Sequence, residues 1–466
     1  MSHTLARQPR RGAITSLALI ALLAGTILTG YLVGNSRQLL LAAIFGILPL
    51  LMISLRTYDS LVTAIPLAAL LVPYSLPTGS YSRVPAVMLL VVLLAGIWTL
   101  SALTSRTGAP WSRSLLNTPL LAFMGIAVAA LIWSIVFRDP LLIRYDRFLF
   151  VQLAALLTIV ASPITALLIA NFGRTPRQLW MIAGAFLVCG SAFTLARAVG
   201  VELPLVNTRG LFALWFVAVG YALLTQPRLT LVYRLGLGTI LLLHLYIMGI
   251  WNVGWISGWA PSIIAIAAIT LFRSRIGFFV LLIVLLILGL SLRNFYVETF
   301  SADSEVQGNT ERLRLWRMNF ELVRTHPLLG TGPAGYALYY MTYHPQEARS
   351  THNNYLDIVA QTGLIGAFCW LWIVIAAFRE GRAVLKHAPP GALRTLGIAA
   401  CGGLIAASAA MMLGDWVIPF AYNQGIEGFR YTIFSWIFLG VLMSVRRQVA
   451  PRPEPRPAPR RMTHGR

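Results

Sequence analysis

The feature that most constrains this chain is a recurrence of apolar runs, each about 17–25 residues long, the length needed to cross a hydrocarbon core. They fall at 14–33, 39–55, 60–76, 84–103, 119–137, 148–170, 178–199, 209–225, 235–252, 257–272, 276–292, 354–378, 395–413 and 430–445. Backbone polar groups in lipid must be satisfied within the segment, so runs of this length fold as helices. The expected fold class is an all-α polytopic membrane protein with about 12–14 transmembrane helices and one large extracytoplasmic loop carrying short amphipathic helices. Composition agrees, with 58% apolar and 11% charged residues.

The first run, Ile14 to Val33, follows Arg7, Arg10 and Arg11. It is longer than a signal-peptide core and lacks a small-x-small cleavage site, so it reads as the first membrane helix with its basic end inside. The net charge of +22 does not point to nucleic acid, because the basic residues are scattered between spans. They alternate instead: Arg56, Arg106, Arg113, Arg174, Arg177, Arg228, Arg234, Arg273, Arg275, Arg379, Arg382, Lys386 and Arg394 fall in loops of one side. By the positive-inside rule that side is cytoplasmic, and so are both termini. The segment 447–466 alternates Pro and Arg and reads as a disordered basic cytoplasmic tail that can rest on anionic headgroups. Cys189, Cys369 and Cys401 lie inside apolar runs without metal-ligand spacing, so neither a metal nor another cofactor is expected.

This topology divides the chain into N-terminal transmembrane helices (1–292), an extracytoplasmic loop (293–353), C-terminal transmembrane helices (354–446) and the tail. The loop breaks the charge rule, with Arg293, Arg312, Arg314, Arg317, Arg324 and Arg349, and a second outer loop at 138–147 adds Arg138, Arg144 and Arg147. Long loops tolerate positive charge without setting topology. Arginine on the outer face also suits an anionic ligand, since guanidinium forks match phosphate oxygens. Residues 310–325 read as an amphipathic helix with Leu313, Trp316, Phe320 and Val323 on its apolar side and Thr310 as N-cap. It ends before Pro327, where Gly330, Gly332 and Gly335 allow a tight loop.

Three pieces then occur in order: Arg312 four residues before Trp316; His326-Pro-Leu-Leu-Gly-Thr-Gly-Pro333; and His352-Asn-Asn-Tyr-Leu-Asp357 leading into Gly363-Leu-Ile-Gly366. Together they resemble the O-antigen ligase and O-antigen polymerase superfamily, with the related region at about 235–378. The resemblance implies a metal-independent, inverting membrane glycosyltransferase of the GT-C-like kind. Its donor would be an undecaprenyl-diphosphate-linked glycan, and its acceptor a glycan, a lipid A-core sugar or a protein hydroxyl. His352 matches the family histidine and is the candidate catalytic base; binding of phosphate or acceptor is the other reading for it. Arg312 matches the loop arginine and is the first candidate diphosphate ligand, with Arg209 and Arg314 as further ones. Asn353, Asp357 and Arg430 are possible supports. Asn353 and Asn354 could fix the imidazole or bind sugar, and Asp357 could orient the ring or answer the helix dipole. An Arg430–Asp415 pair is one reading of those charges, and snorkelling is the other. Tyr355 suits an interfacial aromatic belt, and His326 serves the turn.

One departure stands out: where family members often carry Ser-Arg-Gly, this chain has Ser257-Gly258-Trp259. A polymerase of the same superfamily shares these motifs with a ligase. A transporter or flippase of lipid-linked sugars is the competing class, although neither an internal repeat nor much midplane charge supports it.

Overall fold

The computed structural model describes residues 62–77, 83–104, 111–297, 309–345, 350–420 and 424–450. The expected spans at 14–33 and 39–55, Arg349, and the tail from 451 onward lie outside the described residues. Helices account for most of what is described: α1 (Ala64–Leu71), α2 (Ala86–Thr104), α3 (Asn117–Val136), α4 (Phe148–Phe172), α5 (Pro176–Ala198), α6 (Phe212–Leu224), α7 (Leu231–Tyr246), α8 (Ile256–Arg273), α9 (Arg275–Ser291), α10 (Asn309–Thr325), α11 (Gly335–Tyr343), α12 (Asn354–His387), α13 (Ala392–Ala410) and α14 (Phe429–Val449). A two-stranded antiparallel hairpin, β1 (Ser75–Pro77) and β2 (Arg83–Pro85), pairs Leu76 with Val84.

Among the described residues, nine helices are long and apolar enough to cross a membrane, and α6 and α9 are shorter apolar helices. The molecule is therefore a polytopic, all-α membrane protein. The run at 60–76 departs from expectation. Its helix has only eight residues, because Pro73 biases Val72 out of the helical region and Val72 adopts ψ 99° instead. The run at 235–252 becomes α7 followed by a π-helical turn, Ile247–Trp251.

Local chemistry sets the helix ends. Thr175 and Gln178 form a reciprocal capping box before Pro176 at the start of α5. Ser274 caps α9 by accepting from the Gly277 N–H at 3.0 Å. At the core lies α14, whose side chains from Ile433 to Val445 are all buried, the pattern of a helix enclosed on every side. It packs against α4, α13 and α12. The Phe438 ring stacks on Trp215 of α6 at 4.1 Å, and the Trp215 indole N–H donates to Ser435 Oγ at 3.3 Å. By contrast α9 buries no side chain, so its apolar surface is left for lipid.

The last turn of α14 corrects the boundary of the tail. Arg447 donates to the carbonyls of Asn171 and Gly173 at 3.2 and 3.1 Å, and Arg446 Nε lies 3.3 Å from Glu380 Oε2. Glu380 Oε1 also accepts from Ser114 Oγ and the Leu115 N–H. These bonds hold residues 447–449 in helix, so they are not part of a disordered tail.

Candidate active site

The turn at 327–333 and the helix α12 are built as one piece. Gly363 sits at φ 67° and interrupts the helical backbone of α12, freeing groups that must find partners elsewhere. The turn supplies them. The Leu364 N–H donates to the Pro327 carbonyl at 2.8 Å, and the Ala360 carbonyl accepts from both the Thr331 N–H and Thr331 Oγ1 at 2.9 Å. No side chain fits at the crossing: a Cβ on Gly363 would collide with the Leu328 carbonyl, and one on Gly330 would come within 2.6 Å of the Ala360 oxygen. The two sequence motifs are therefore the two halves of one joint.

At its N-terminus α12 is fastened on three sides. Asn353 is the N-cap, its Oδ1 accepting from the Tyr355 and Leu356 N–H groups at 3.0 and 3.4 Å. Asn354 clamps the α13–α14 connection, donating from Nδ2 to the Ile418 carbonyl and accepting from the Val417 N–H. These two side chains are thus committed to backbone, which accounts for their burial without a sugar or an imidazole. The Tyr355 hydroxyl donates to the Ser408 carbonyl at 2.7 Å, so it packs on α13 rather than standing in an interfacial belt.

Between these anchors His352 is half-buried at φ 52°, a left-handed conformation uncommon outside glycine. Its neighbours hold it there. The His352 N–H donates to Ser350 Oγ at 2.9 Å, and Ser350 Oγ donates to Asp415 Oδ2 at 2.5 Å. On the other side Thr351 Oγ1 donates to Asp357 Oδ1 at 2.7 Å, which also accepts from the Tyr336 hydroxyl at 2.6 Å. The buried Asp357 and Asp415 carboxyls meet each other, and their remaining oxygens, Oδ2 and Oδ1, have no other partner. Asp357 already takes two O–H donors and Asp415 one. Burial, and then the Asp357 charge, push Asp415 well above the carboxylate range, which favours one shared proton over two facing charges. Burial followed by the same two carboxyls raises the Tyr336 phenol well above its ordinary value and keeps it a donor. Asp357 therefore braces the loop that carries His352.

Helix α10 carries the loop arginine and is tied to the His352 loop through Trp316. Its buried side is Leu315, Met318, Asn319 and Leu322, which pack into one cluster with Tyr336, Tyr340 and Phe420. Leu313 and Phe320 are exposed, contrary to the expected apolar face. The helix is rotated so that Leu315, Met318 and Leu322 reach the core while the Trp316 indole N–H donates to the Thr351 carbonyl at 3.0 Å. Arg312, half-buried, precedes Trp316 by four residues and shares its side of the helix. Arg314 is exposed on another side. The helix begins at Asn309, so Thr310 lies inside its first turn rather than at the cap.

Arg209 is exposed before α6, next to Gly210, which is packed on Tyr431. Both Arg209 and Asp415 lie within electrostatic reach of Tyr431, which connects this arginine to the His352 neighbourhood. Arg430 does not pair with Asp415. Its Nε donates to the Ala69 carbonyl at 3.3 Å, because Asp415 is taken by Ser350 and Asp357. Arg197 lies 3.8 Å from Glu202. His326 joins the turn to α11: its ring nitrogens lie 2.8 Å from Thr325 Oγ1 and 2.7 Å from the Tyr339 hydroxyl. Ser350, which accepts from the His352 N–H, and Thr351, Tyr336 and Asp415, which hold its neighbours, are not among the site candidates the sequence offers. Only the hydroxyls immediately before the histidine offered a sequence signal for them.

Residues 198–371 match the family described as O-Antigen ligase, so this stretch of the chain is similar to an O-antigen ligase region. The matched stretch takes in Arg209, α10, the turn and the first half of α12. No curated protein matches the chain.

Proposed function

We propose that this protein is a glycosyltransferase that moves a glycan from an undecaprenyl-diphosphate carrier to an acceptor hydroxyl on the outer face of the cytoplasmic membrane. In this reading both termini are cytoplasmic, and the chemistry belongs to 293–353 and the ends of its flanking helices. The observation that carries the reading is the Trp316–Thr351 hydrogen bond. It ties the helix bearing Arg312 to the residue preceding His352, so a cation for a diphosphate and a base for a hydroxyl share one small neighbourhood.

The acceptor oxygen attacks the anomeric carbon as His352 removes its proton. The bond from that carbon to the diphosphate oxygen breaks on the opposite side, inverting the centre. Undecaprenyl diphosphate leaves with the bonding pair, and Arg312 with Arg209 neutralises the growing charge while Arg314 attracts the donor. Thr208-Arg209-Gly210 supplies a hydroxyl-Arg-Gly run in place of the one absent at 257–259.

Full-length protein in nanodiscs, given an undecaprenyl-diphosphate-linked glycan and lipid A-core, tests this reading. The wild type forms glycan-capped lipid A-core with inverted anomeric configuration, and His352→Ala lowers the rate by about 10²–10⁴-fold. Wild-type transfer by the alanine variant would remove His352 as base. Extension of one lipid-linked glycan by another, without lipid A-core capping, would make the protein a polymerase.

A further inference from the structure

The second outer arginine loop does not join the His352 site. It folds over a separate cleft of about 320 Å³ between the α3–α4 connection and the turn that follows α10. Trp133, Tyr145, Arg138, Arg144, Gln152 and His326 are among the residues that line it. Arg138 donates to the Ile143 carbonyl at 2.8 Å and so shapes the loop. Among the described residues Arg144 has no hydrogen-bond or ion-pair partner, although its side chain borders the cleft.

The chemistry of the lining narrows the occupant. Aromatic surface is present: the Trp133 and Phe137 rings lie 4.1 Å apart, and both they and Tyr145 are exposed. Flat aromatic faces with polar neighbours suit the C–H face of a sugar ring. Gln152 Nε2 donates to Ser134 Oγ at 3.1 Å and keeps a second N–H for a ligand. Two arginines against one lining carboxylate, Asp146, leave an excess of positive charge. Asp139 is already engaged by the Leu141 N–H and the Tyr343 hydroxyl, each at 2.9 Å. Burial lowers the His326 pKa, and both its ring nitrogens are occupied, so the arginines supply the charge.

The cleft also adjoins the His352 neighbourhood through α11. Tyr336 reaches Asp357, whereas Tyr339, three residues on, lines the cleft. Thr331 lines it too while bonding to Ala360 of α12. We propose that this cleft is a subsite for a saccharide unit bearing a carboxylate or phosphate, with Arg144 as its charged contact and Trp133 and Tyr145 as its stacking surface. The proposal rests on the glycosyltransferase reading for its place in the reaction, where it would hold sugar beyond the reacting unit.

Binding without turnover tests it. Full-length protein in nanodiscs is titrated with a tri-galacturonate and with the neutral tri-galactose, following tryptophan fluorescence. The acidic trisaccharide is expected to bind at least about tenfold more tightly, which is 1.4 kcal/mol. Arg144→Gln should abolish that preference and Trp133→Ala should weaken both ligands, whereas Arg228→Gln, in the α6–α7 connection, should change neither. Equal affinity for the two trisaccharides, no binding of either, or an undiminished preference in Arg144→Gln overturns the subsite. Because no transfer is measured, these outcomes stand apart from the His352→Ala result. Acid-selective binding together with wild-type transfer by His352→Ala would leave the subsite and remove the proposed base.

Discussion

Ser350 donates its hydroxyl to Asp415 at 2.5 Å while accepting the backbone N–H of the next-but-one residue, His352, so a carboxyl 65 residues away fixes the left-handed turn at the histidine. Because burial and the facing charge raise Asp415 and disfavour its charged form, a neutral isostere should replace it. Asp415→Asn can accept from Ser350 and donate to Asp357, and is expected to keep transfer within a few-fold. Asp415→Ala leaves a buried carboxylate oxygen of Asp357 unsatisfied, which costs about 1–3 kcal/mol. Its transfer should fall with its thermal midpoint, and the two variants compared in one assay check both halves of the statement.

The same carboxyl sets a pH dependence. With the folded pKa of Asp415 raised, the native state keeps a proton that the unfolded chain releases above its ordinary value near 3.9. The native state therefore binds more protons in that window, and the contribution of Asp415 to stability falls as pH rises through it. Asp415→Asn removes the effect. Its thermal midpoint should lose less than that of the wild type as pH rises from about 4, the ordinary carboxylate value, as melting curves taken upward from there would record.

His326 has the opposite sign. Burial lowers its pKa, outweighing the Leu322 backbone bond and the Asp139 charge, which both raise it. The unfolded chain thus takes up a proton near 6.5 that the folded chain refuses. This contribution is intact above that value and is lost as pH falls through the lowered one. His326→Gln should flatten the decline in thermal midpoint between pH 7 and pH 5, at a cost of about 1 kcal/mol at pH 7 for the altered bond to Tyr339.

How much of this was legible in the sequence depended on distance along the chain. Apolar run lengths located most helices, since lipid leaves the backbone few alternatives. They misjudged 60–76, where a single proline outweighed hydropathy. On α10, periodicity picked Leu313 and Phe320 for the buried side because both are large and apolar. The structure turns them outward, since tertiary partners for Leu315, Met318 and Leu322 decide the rotation. Motif order brings out His352 and Arg312 as candidates. It does not bring out the contacts of Asp415 with Ser350 and of Trp316 with Thr351, because pairings across 65 and 35 residues leave no local pattern.

Gly363 offers a test of the joint between the turn and α12. An alanine there must hold φ 67° and place a methyl against the Leu328 carbonyl. Strain of this kind costs about 1–3 kcal/mol, and relieving it would break the bonds from Leu364 and Thr331 to Pro327 and Ala360. Gly363→Ala is expected to lower the thermal midpoint, whereas Gly289→Ala in α9, where an added Cβ meets nothing within 4 Å, should be neutral or slightly stabilising.

Trp316→Phe isolates the bond that carries the functional reading. Phenylalanine keeps much of the packing but loses the indole donor to the Thr351 carbonyl, a change of about 0.5–1.5 kcal/mol. If that bond only stabilised α10, the thermal midpoint would drop while transfer by folded protein stayed constant. If it also sets Arg312 against His352, kcat falls with little change in KM for the acceptor, since the lost alignment concerns the departing diphosphate. We expect the second pattern, and we expect Arg312→Lys in the same assay to reproduce it, because a point charge cannot replace the bidentate guanidinium.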